Sequence, residues 1–191
     1  MAHHLDPLLR PSSIAVIGAS ASAGVGRRIL ETLLHGQYPG TLYALNPKYE
    51  DVLGVPCFPD LAALPEPVEH VVFAVSDHRI EPIFEEAVEM GAKAMTIMSM
   101  LYIENDMQPP LKDRLQRRAQ ETGMLVCGAN GMGFYNFADR VTVGGFATRS
   151  NHIAGNVALI SHSGSGMAGI MDSDERINFN LTVSAGQELS V

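Results

Sequence analysis

Short, almost fully apolar runs alternate with segments of helical period up to Asn130, and this alternation restricts the chain to a narrow class of folds. Strand candidates lie at Ile14 to Gly18, Leu42 to Asn46, Val71 to Ser76, Ala94 to Met98 and Met124 to Cys127. Continuous apolar character marks strands buried on both faces, as in a parallel sheet. Between them, Ile29, Leu30, Leu33 and Leu34 repeat at helical spacing, and so do Ile80, Ile83, Phe84, Ala87 and Val88. Gly91 is placed to cap the second of these helices, and Pro109-Pro110 opens a third, expected over Leu111 to Thr122. The prediction is an α/β fold, a parallel sheet with helices on both faces. The proline-rich stretch Asp51 to Pro67 is expected to be an irregular connection with one short helical turn near Asp60.

The first strand runs into a loop of small residues, SIAVIGASASAGVGRR over Ser13 to Arg28. A strand feeding a helix through Gly18, Gly24 and Gly26 leaves backbone N–H groups unpaired at the positive end of the helix dipole, an arrangement that suits a phosphate or pyrophosphate. The G-x-G-x-x-G spacing of dinucleotide sites is absent, because Gly18 is followed by Ala19, Ser20, Ala21, Ser22 and Ala23. The next strand, TLYALNPK, ends in Asn46, Pro47 and Lys48, where an NAD site usually places an acid on the ribose hydroxyls. Lysine there attracts a terminal phosphate instead, which leaves NADP or coenzyme A. A glycine loop that only turns the chain is the competing reading.

The net charge of -8 argues against broad binding to nucleic acid or anionic membranes, and Arg27, Arg28 and Lys48 stand out as local positive charge. No apolar run approaches the roughly 18 residues that span a bilayer, and MAHHLDPLLRP lacks the apolar core of a signal peptide, so a cytoplasmic location is expected. Cys57 and Cys127 are too few for a disulfide framework or a zinc site and read as free thiols; no metal site is expected. His3 and His4 read as a tag remnant or disordered start, and His35, His70, His78 and His152 as residues at element edges.

After Asn130 the sequence GMGFYNFADRVTVGGFATRSNHIAG reads as a linker. A second strand, loop and helix unit then begins with NVALI (Asn156 to Ile160) and SHSGSG, continues in a small-residue helix through Met171, and ends in a strand near Asn180 to Ser184. Two parallel strands do not make a stable core. They are therefore expected to belong to a longer protein or to complete another chain's sheet.

Five segments in order and spacing, LLRPSSIAVIGAS, YPGTLYALNPKYEDVLGVPCFPDLAALP, VVFAVS, GANGMGFYN and GNVALISHSGSGMAG, resemble the nucleoside-diphosphate-forming (ADP-forming) acyl-CoA synthetases. That family is related to the alpha subunit of succinyl-CoA synthetase. The resemblance implies a Rossmann-like CoA-binding domain over residues 1–148 and, over 149–191, the beginning of a flavodoxin-like, succinyl-CoA-synthetase-like ligase domain. It implies that Gly18, Ala19 and Ser20, with Ala21, Ser22, Gly24 and Gly26, hold the CoA pyrophosphate region. Asn46, Pro47 and Lys48 fall at the nucleotide end, Val75 and Ser76 line the groove, and Ser99 lies where the pantetheine arm passes.

In the second unit, Ser161-His162-Ser163-Gly164-Ser165-Gly166 does not match the G-x-S-x-G nucleophile elbow, since Ser161 stands where the first glycine belongs. The resemblance implies instead that Ser163, Gly164 and Ser165 hold the phosphate of a phosphohistidine whose histidine lies beyond Val191. His162 is expected to be a loop residue. No catalytic residue is thus expected within this chain. The complete enzyme would join a small carboxylic acid to CoA with ATP and magnesium, as an acid-thiol ligase working with an ATP-grasp domain or subunit in a homo- or hetero-oligomer. Ser99-Met100-Leu101 and Gly128-Ala129-Asn130-Gly131 depart from the family's usual small-residue turn and Gly-Pro-Asn-Cys. The rival readings are a stand-alone CoA-binding or sensing protein and an NADP-dependent oxidoreductase, the latter with no pair of residues placed for hydride chemistry.

Overall fold

A computed structural model describes residues 3–149 and 152–190. Met1, Ala2, Ser150, Asn151 and Val191 belong to the expected domains but lie outside the described residues. A one-turn helix α1 (Asp6–Leu9) leads into β1 (Ser13–Ile17), α2 (Val25–His35), β2 (Thr41–Leu45), β3 (Asp51–Val52), β4 (Val55–Phe58) and β5 (His70–Phe73). Helix α3 (Ile80–Met90), β6 (Ala94–Ile97), α4 (Leu111–Thr122) and β7 (Leu125–Gly128) follow. The remainder forms β8 (Gly133–Asn136), β9 (Val141–Gly144), β10 (Val157–Ser161), α5 (Gly164–Met171) and β11 (Phe179–Ser184).

The first sheet has seven strands in the order β3-β4-β2-β1-β5-β6-β7. All its pairs are parallel except the β3–β4 hairpin. The chain starts in the middle, at β1, and winds outward in both directions, as in a Rossmann-like fold. Every residue of β1, β5 and β6 is buried, which explains their unbroken apolar runs. One face is covered by α3 and α4, through Ile80, Phe84, Leu111 and Leu115 against Phe73 and Ile97.

The opposite face is covered by α2 and by two strands that the sequence reads as linker. Ile29, Leu30 and Leu33 of α2 share a buried cluster with Phe134 of β8 and with Val141 and Val143 of β9. The linker expectation is corrected accordingly: both strands are four residues long and fully buried. The hairpin turns at Arg140, with φ of 59°, and Asp139 N–H donates to Asn136 Oδ1 at 3.1 Å. Thr142 Oγ1 donates to the Thr32 carbonyl at 2.6 Å and Thr32 Oγ1 to the Thr142 carbonyl at 2.9 Å, so α2 and β9 are joined by a reciprocal pair of buried hydrogen bonds.

The second sheet runs β10-β11-β8-β9, parallel at β10–β11 and antiparallel at β11–β8 and β8–β9. The isolated two-stranded parallel piece expected from sequence is therefore part of a four-stranded mixed sheet. Met167 and Met171 of α5 pack on Tyr135 and Phe179 beneath it. Strand β10 is an edge strand, with Ile160 74% exposed.

The connection after β2 is also more ordered than expected. Leu53 and Gly54, with φ of 59° and 80°, turn β3 back on β4, and β4 joins the sheet beside β2. Near Asp60 the anticipated helical turn is a hydrogen-bonded turn, with Ala63 N–H donating to Asp60 Oδ1 at 3.0 Å. Elsewhere α4 spans Leu111–Thr122 as expected, and its first N–H is held by Asp106 Oδ2. Among the described residues no helix is long and apolar enough to cross a membrane.

His70 opens β5 as a fully buried residue, with Nε2 at 2.9 Å from Thr96 Oγ1 and its ring stacked on Phe134. Burial pushes its pKa down to about 3, against about 6.5 in an unfolded chain. The unfolded state then takes up a proton that the folded state refuses, so stability is full above pH 6.5 and is lost as pH falls toward 3. We expect the unfolding free energy in urea to fall between pH 7.5 and 4.5, and His70→Gln to reduce that slope by up to ~1.4 kcal/mol per pH unit. An unchanged slope in the variant would refute this.

Candidate functional site

The sheet order reverses at β1, which has β2 on one side and β5 on the other. In such sheets a crevice opens beyond the strand carboxyl ends at this point. Here it is a cleft of about 460 Å³, bounded by the ends of β1, β2 and β4 and by the start of α3.

Two glycines build its floor. Gly18 ends β1 with φ of 82°, and a Cβ on it would collide with the Ala74 carbonyl oxygen. A Cβ on Gly26 would collide with the Gly18 carbonyl oxygen, so the first turn of α2 lies directly against the end of β1. The loop between them is fixed by short contacts. Asn46 Nδ2 donates to the Ala19 carbonyl at 2.7 Å and its Oδ1 accepts from Lys48 N–H at 3.1 Å. Ser20 Oγ accepts from Ser22 N–H at 3.0 Å and sits 3.4 Å from the Tyr49 hydroxyl. Arg27 holds the Ala21 carbonyl and pairs with Glu31. Gly24 stands at the N-cap of α2 without a side-chain cap, so the first N–H groups of the helix have no side-chain partner there.

The cleft brings together Gly18, Ser20, Ser22, Asn46, Pro47 and Lys48 from the residues singled out in the sequence. The others lie elsewhere. Ala19 is fully buried among core side chains and Gly26 is a packing residue, so neither side lines the cleft. Ala21 and Gly24 are exposed outside the lining. Val75 packs on the core, and Ser76 is exposed where a short 3-10 turn, Asp77–Arg79, begins. Ser99 has a buried hydroxyl with no partner, and its carbonyl accepts from Asn130 N–H at 2.7 Å, away from the cleft lining. The arginines Arg27 and Arg28 both pair with Glu31.

Sequence reading missed Tyr49, Asp60, Arg79 and Glu86, the further polar and charged residues of the lining. The placement of ligands at strand carboxyl ends pointed to the end of β5, but only the 3-10 turn carries Arg79 into the cleft. Tyr49 was signalled by its position next to Lys48. Hydrogen bonding to Ser20 and Ser22, aided by the Lys48 charge, lowers the Tyr49 pKa. Lys48 and Arg79 thus supply cationic side chains to a cleft whose wall includes Gly18, Ser20 and Ser22 of the loop, beside the acids Asp60 and Glu86, and a phosphorylated ligand is matched by the two cations and the loop N–H groups.

The second feature noted in the sequence is the N-terminus of α5. Ser163 caps it by accepting from Gly166 N–H at 3.1 Å, and its Oγ lies 3.2 Å from Ser165 Oγ. Gly164 packs against Met132 so closely that a Cβ would collide with that side chain. His162 is an exposed loop residue with Nδ1 3.1 Å from the Gly186 carbonyl oxygen. Neither cysteine offers a ready thiolate: burial pushes Cys127 up to about 12 and also raises Cys57. Among the described residues no group of His, Cys, Asp and Glu is arranged to hold a metal ion.

Residues 12–136 match the family model described as a CoA binding domain. The chain is 28% identical over 188 residues to acetate–CoA ligase (ADP-forming) I of Archaeoglobus fulgidus, covering 96% of this chain and 27% of that protein. It is 30% identical over 186 residues to the alpha subunit of acetate–CoA ligase (ADP-forming) II of Pyrococcus furiosus, covering 95% of this chain and 40% of that subunit. A solved dinucleotide-forming acetyl-coenzyme A synthetase 1 from Ca. Korarchaeum cryptofilum, in complex with phosphate and ADP, superposes with a TM-score of 0.87 at 29% identity. The superposition covers 98% of this chain and 40% of that one. The chain therefore spans well under half the length of these relatives.

The two loop glycines nearest α2 have opposite tolerances. Gly26→Ala forces atoms into the Gly18 backbone and is expected to cost about 1–3 kcal/mol. Gly24 is extended with open space around it, so Gly24→Ala is expected to stay within about 0.5 kcal/mol of the parent. Urea denaturation of the two variants checks this, and equal costs would contradict the packing role.

Proposed function

The chain belongs to the CoA binding domain family, and from that premise we propose that it is the CoA-binding portion of an ADP-forming acyl-CoA synthetase. The observation that carries the proposal is the cleft at the reversal of strand order, where Lys48 and Arg79 share the lining with Gly18, Ser20 and Ser22 of the loop that leads into α2. CoA carries a pyrophosphate and a ribose phosphate. The loop from Gly18 to Gly26 takes the pyrophosphate through backbone N–H groups, with Ser20 and Ser22 at the cleft wall. Lys48, with Asn46 and Pro47, takes the nucleotide end and its phosphate. The pantetheine arm leaves the cleft toward the carboxyl ends of β5 and β6, past Val75, Ser76 and Ser99.

The complete enzyme forms an acyl-CoA thioester from a small carboxylic acid, CoA and ATP, releasing ADP and phosphate. ATP and magnesium belong, in this reading, to an ATP-grasp domain or partner subunit, and the assembly is a cytoplasmic oligomer. Residues 1–148 form the CoA-binding domain and residues 149–191 begin the ligase domain. The N-terminus of α5 then has a task of its own: Ser163, Gly164 and Ser165 stabilise the phosphate of a phosphohistidine supplied from beyond Val191. The resemblance of the motif and the capped, glycine-bearing helix start support this role.

Isothermal titration of the chain with CoA, dephospho-CoA and NADP tests the proposal. CoA is expected to bind, dephospho-CoA to bind more weakly, and Lys48→Ala to weaken CoA by roughly tenfold, the loss of one charge-assisted contact, while leaving dephospho-CoA little changed. Preference for NADP, or no CoA binding by a chain that remains folded, would overturn it.

A further inference from the structure

A second cavity, of about 590 Å³, lies between α2, the β8–β9 hairpin and the residues Ala147, Thr148, Arg149 and His152. It shares no residue with the CoA cleft. Its volume falls within the roughly 300–1,000 Å³ typical of small-molecule sites. In a chain of net charge -8, its lining holds Arg28, Arg140 and Arg149 together with His35 and His152. The acid among them, Glu31, is already paired with Arg27 and Arg28.

Two of these side chains have buried polar atoms without partners. Arg149 donates from Nη2 to the Ile177 carbonyl at 3.1 Å, but its Nε and Nη1 are buried and unbonded among the described residues. His152 has a side chain only 5% exposed; its Nε2 lies 3.0 Å from Asp172 Oδ1, and its Nδ1 is buried with no partner. Buried guanidinium N–H groups are seldom left unbonded in a native protein, and an unfilled ligand site is one reason that they are. Beside them, Tyr135 and Phe137 supply aromatic surface, with the Phe137 and His152 rings 4.5 Å apart.

The geometry points to a binding site for a small organic oxyanion, a carboxylate or a phosphate, held at Arg149 with its apolar part against Tyr135 and Phe137. Arg140 stands on the exposed hairpin turn at the rim and adds attraction without an acid partner among the described ion pairs. The cation charge and the unbonded donors select the anion, and the aromatic wall selects a ligand larger than an inorganic ion.

Isothermal titration of the chain with benzoate, ADP and pyrophosphate at low salt tests the site. Benzoate or ADP is expected to bind, at least ~10-fold more weakly in Arg149→Gln, which is the loss of one charge-assisted contact. Binding should persist at a saturating concentration of CoA, which separates this cavity from the CoA cleft, and Arg149→Gln should leave the CoA titration unchanged. Response to benzoate marks a carboxylate site and response to ADP alone a phosphate site. Absence of binding by all three probes, binding indifferent to Arg149→Gln, or binding abolished by saturating CoA would overturn the inference. If Arg149→Gln fails to fold by circular dichroism, Arg140→Gln at the exposed turn replaces it, and unchanged affinity there overturns the inference equally.

Discussion

The close approach of Gly26 to the carbonyl of Gly18 fixes the position of α2, and most of the molecule depends on that position. With no Cβ at either residue, the helix starts directly on the end of β1. Its N-terminal N–H groups then face the reversal point of the sheet, and the intervening loop is short enough to be pinned by Asn46, Ser20 and Arg27. The same placement presents the far side of α2 to β9, where Thr32 and Thr142 exchange hydrogen bonds. A side chain at Gly26 would displace the helix at both ends.

Electrostatics divide the surface in the same way. The chain is acidic overall, yet the two cavities described above carry cationic side chains in their linings, Lys48 and Arg79 beside Asp60 and Glu86 in one, Arg28, Arg140 and Arg149 beside Glu31 in the other. On α4, Arg114 bridges Glu81 and Asp106, and Arg118 bridges Glu85 and Glu121. The exposed pairs of Arg118 contribute little to stability. Arg140 and Arg149, which have no acid partner among the described ion pairs, both line the second cavity, and concave sites focus the field on an incoming anion.

The central sheet was legible in the sequence because buried parallel strands are apolar without interruption, the α2 and α3 stripes because one face of each is buried, and α4 because Pro109-Pro110 marks its start. The strands β3, β4, β8 and β9 were not, for different reasons. VPCF carries a proline and GFYN a glycine and an asparagine, compositions that argue against a strand when read locally. What makes them strands is non-local: β4 pairs with β2, and β8 lies between β9 and β11 with Phe134 in the main core. At the cleft, the loop and Lys48 were legible from motif and position. Arg79 was not, because only the 3-10 turn after β5 directs it there.

Strands β8 and β9 also bind the two sheets into one structure. Their inward side chains complete the core over α2, while the backbone of β8 pairs with β11, which follows the second unit's helix. A hydrogen-bonded ladder therefore crosses from residues before 148 to residues after it. Without β11, strand β8 would present an open edge, the kind of unpaired row that proteins ordinarily cover. The physical division of the chain is thus softer than a linker would make it, since the hairpin that closes the first core is also the edge on which the second sheet is built.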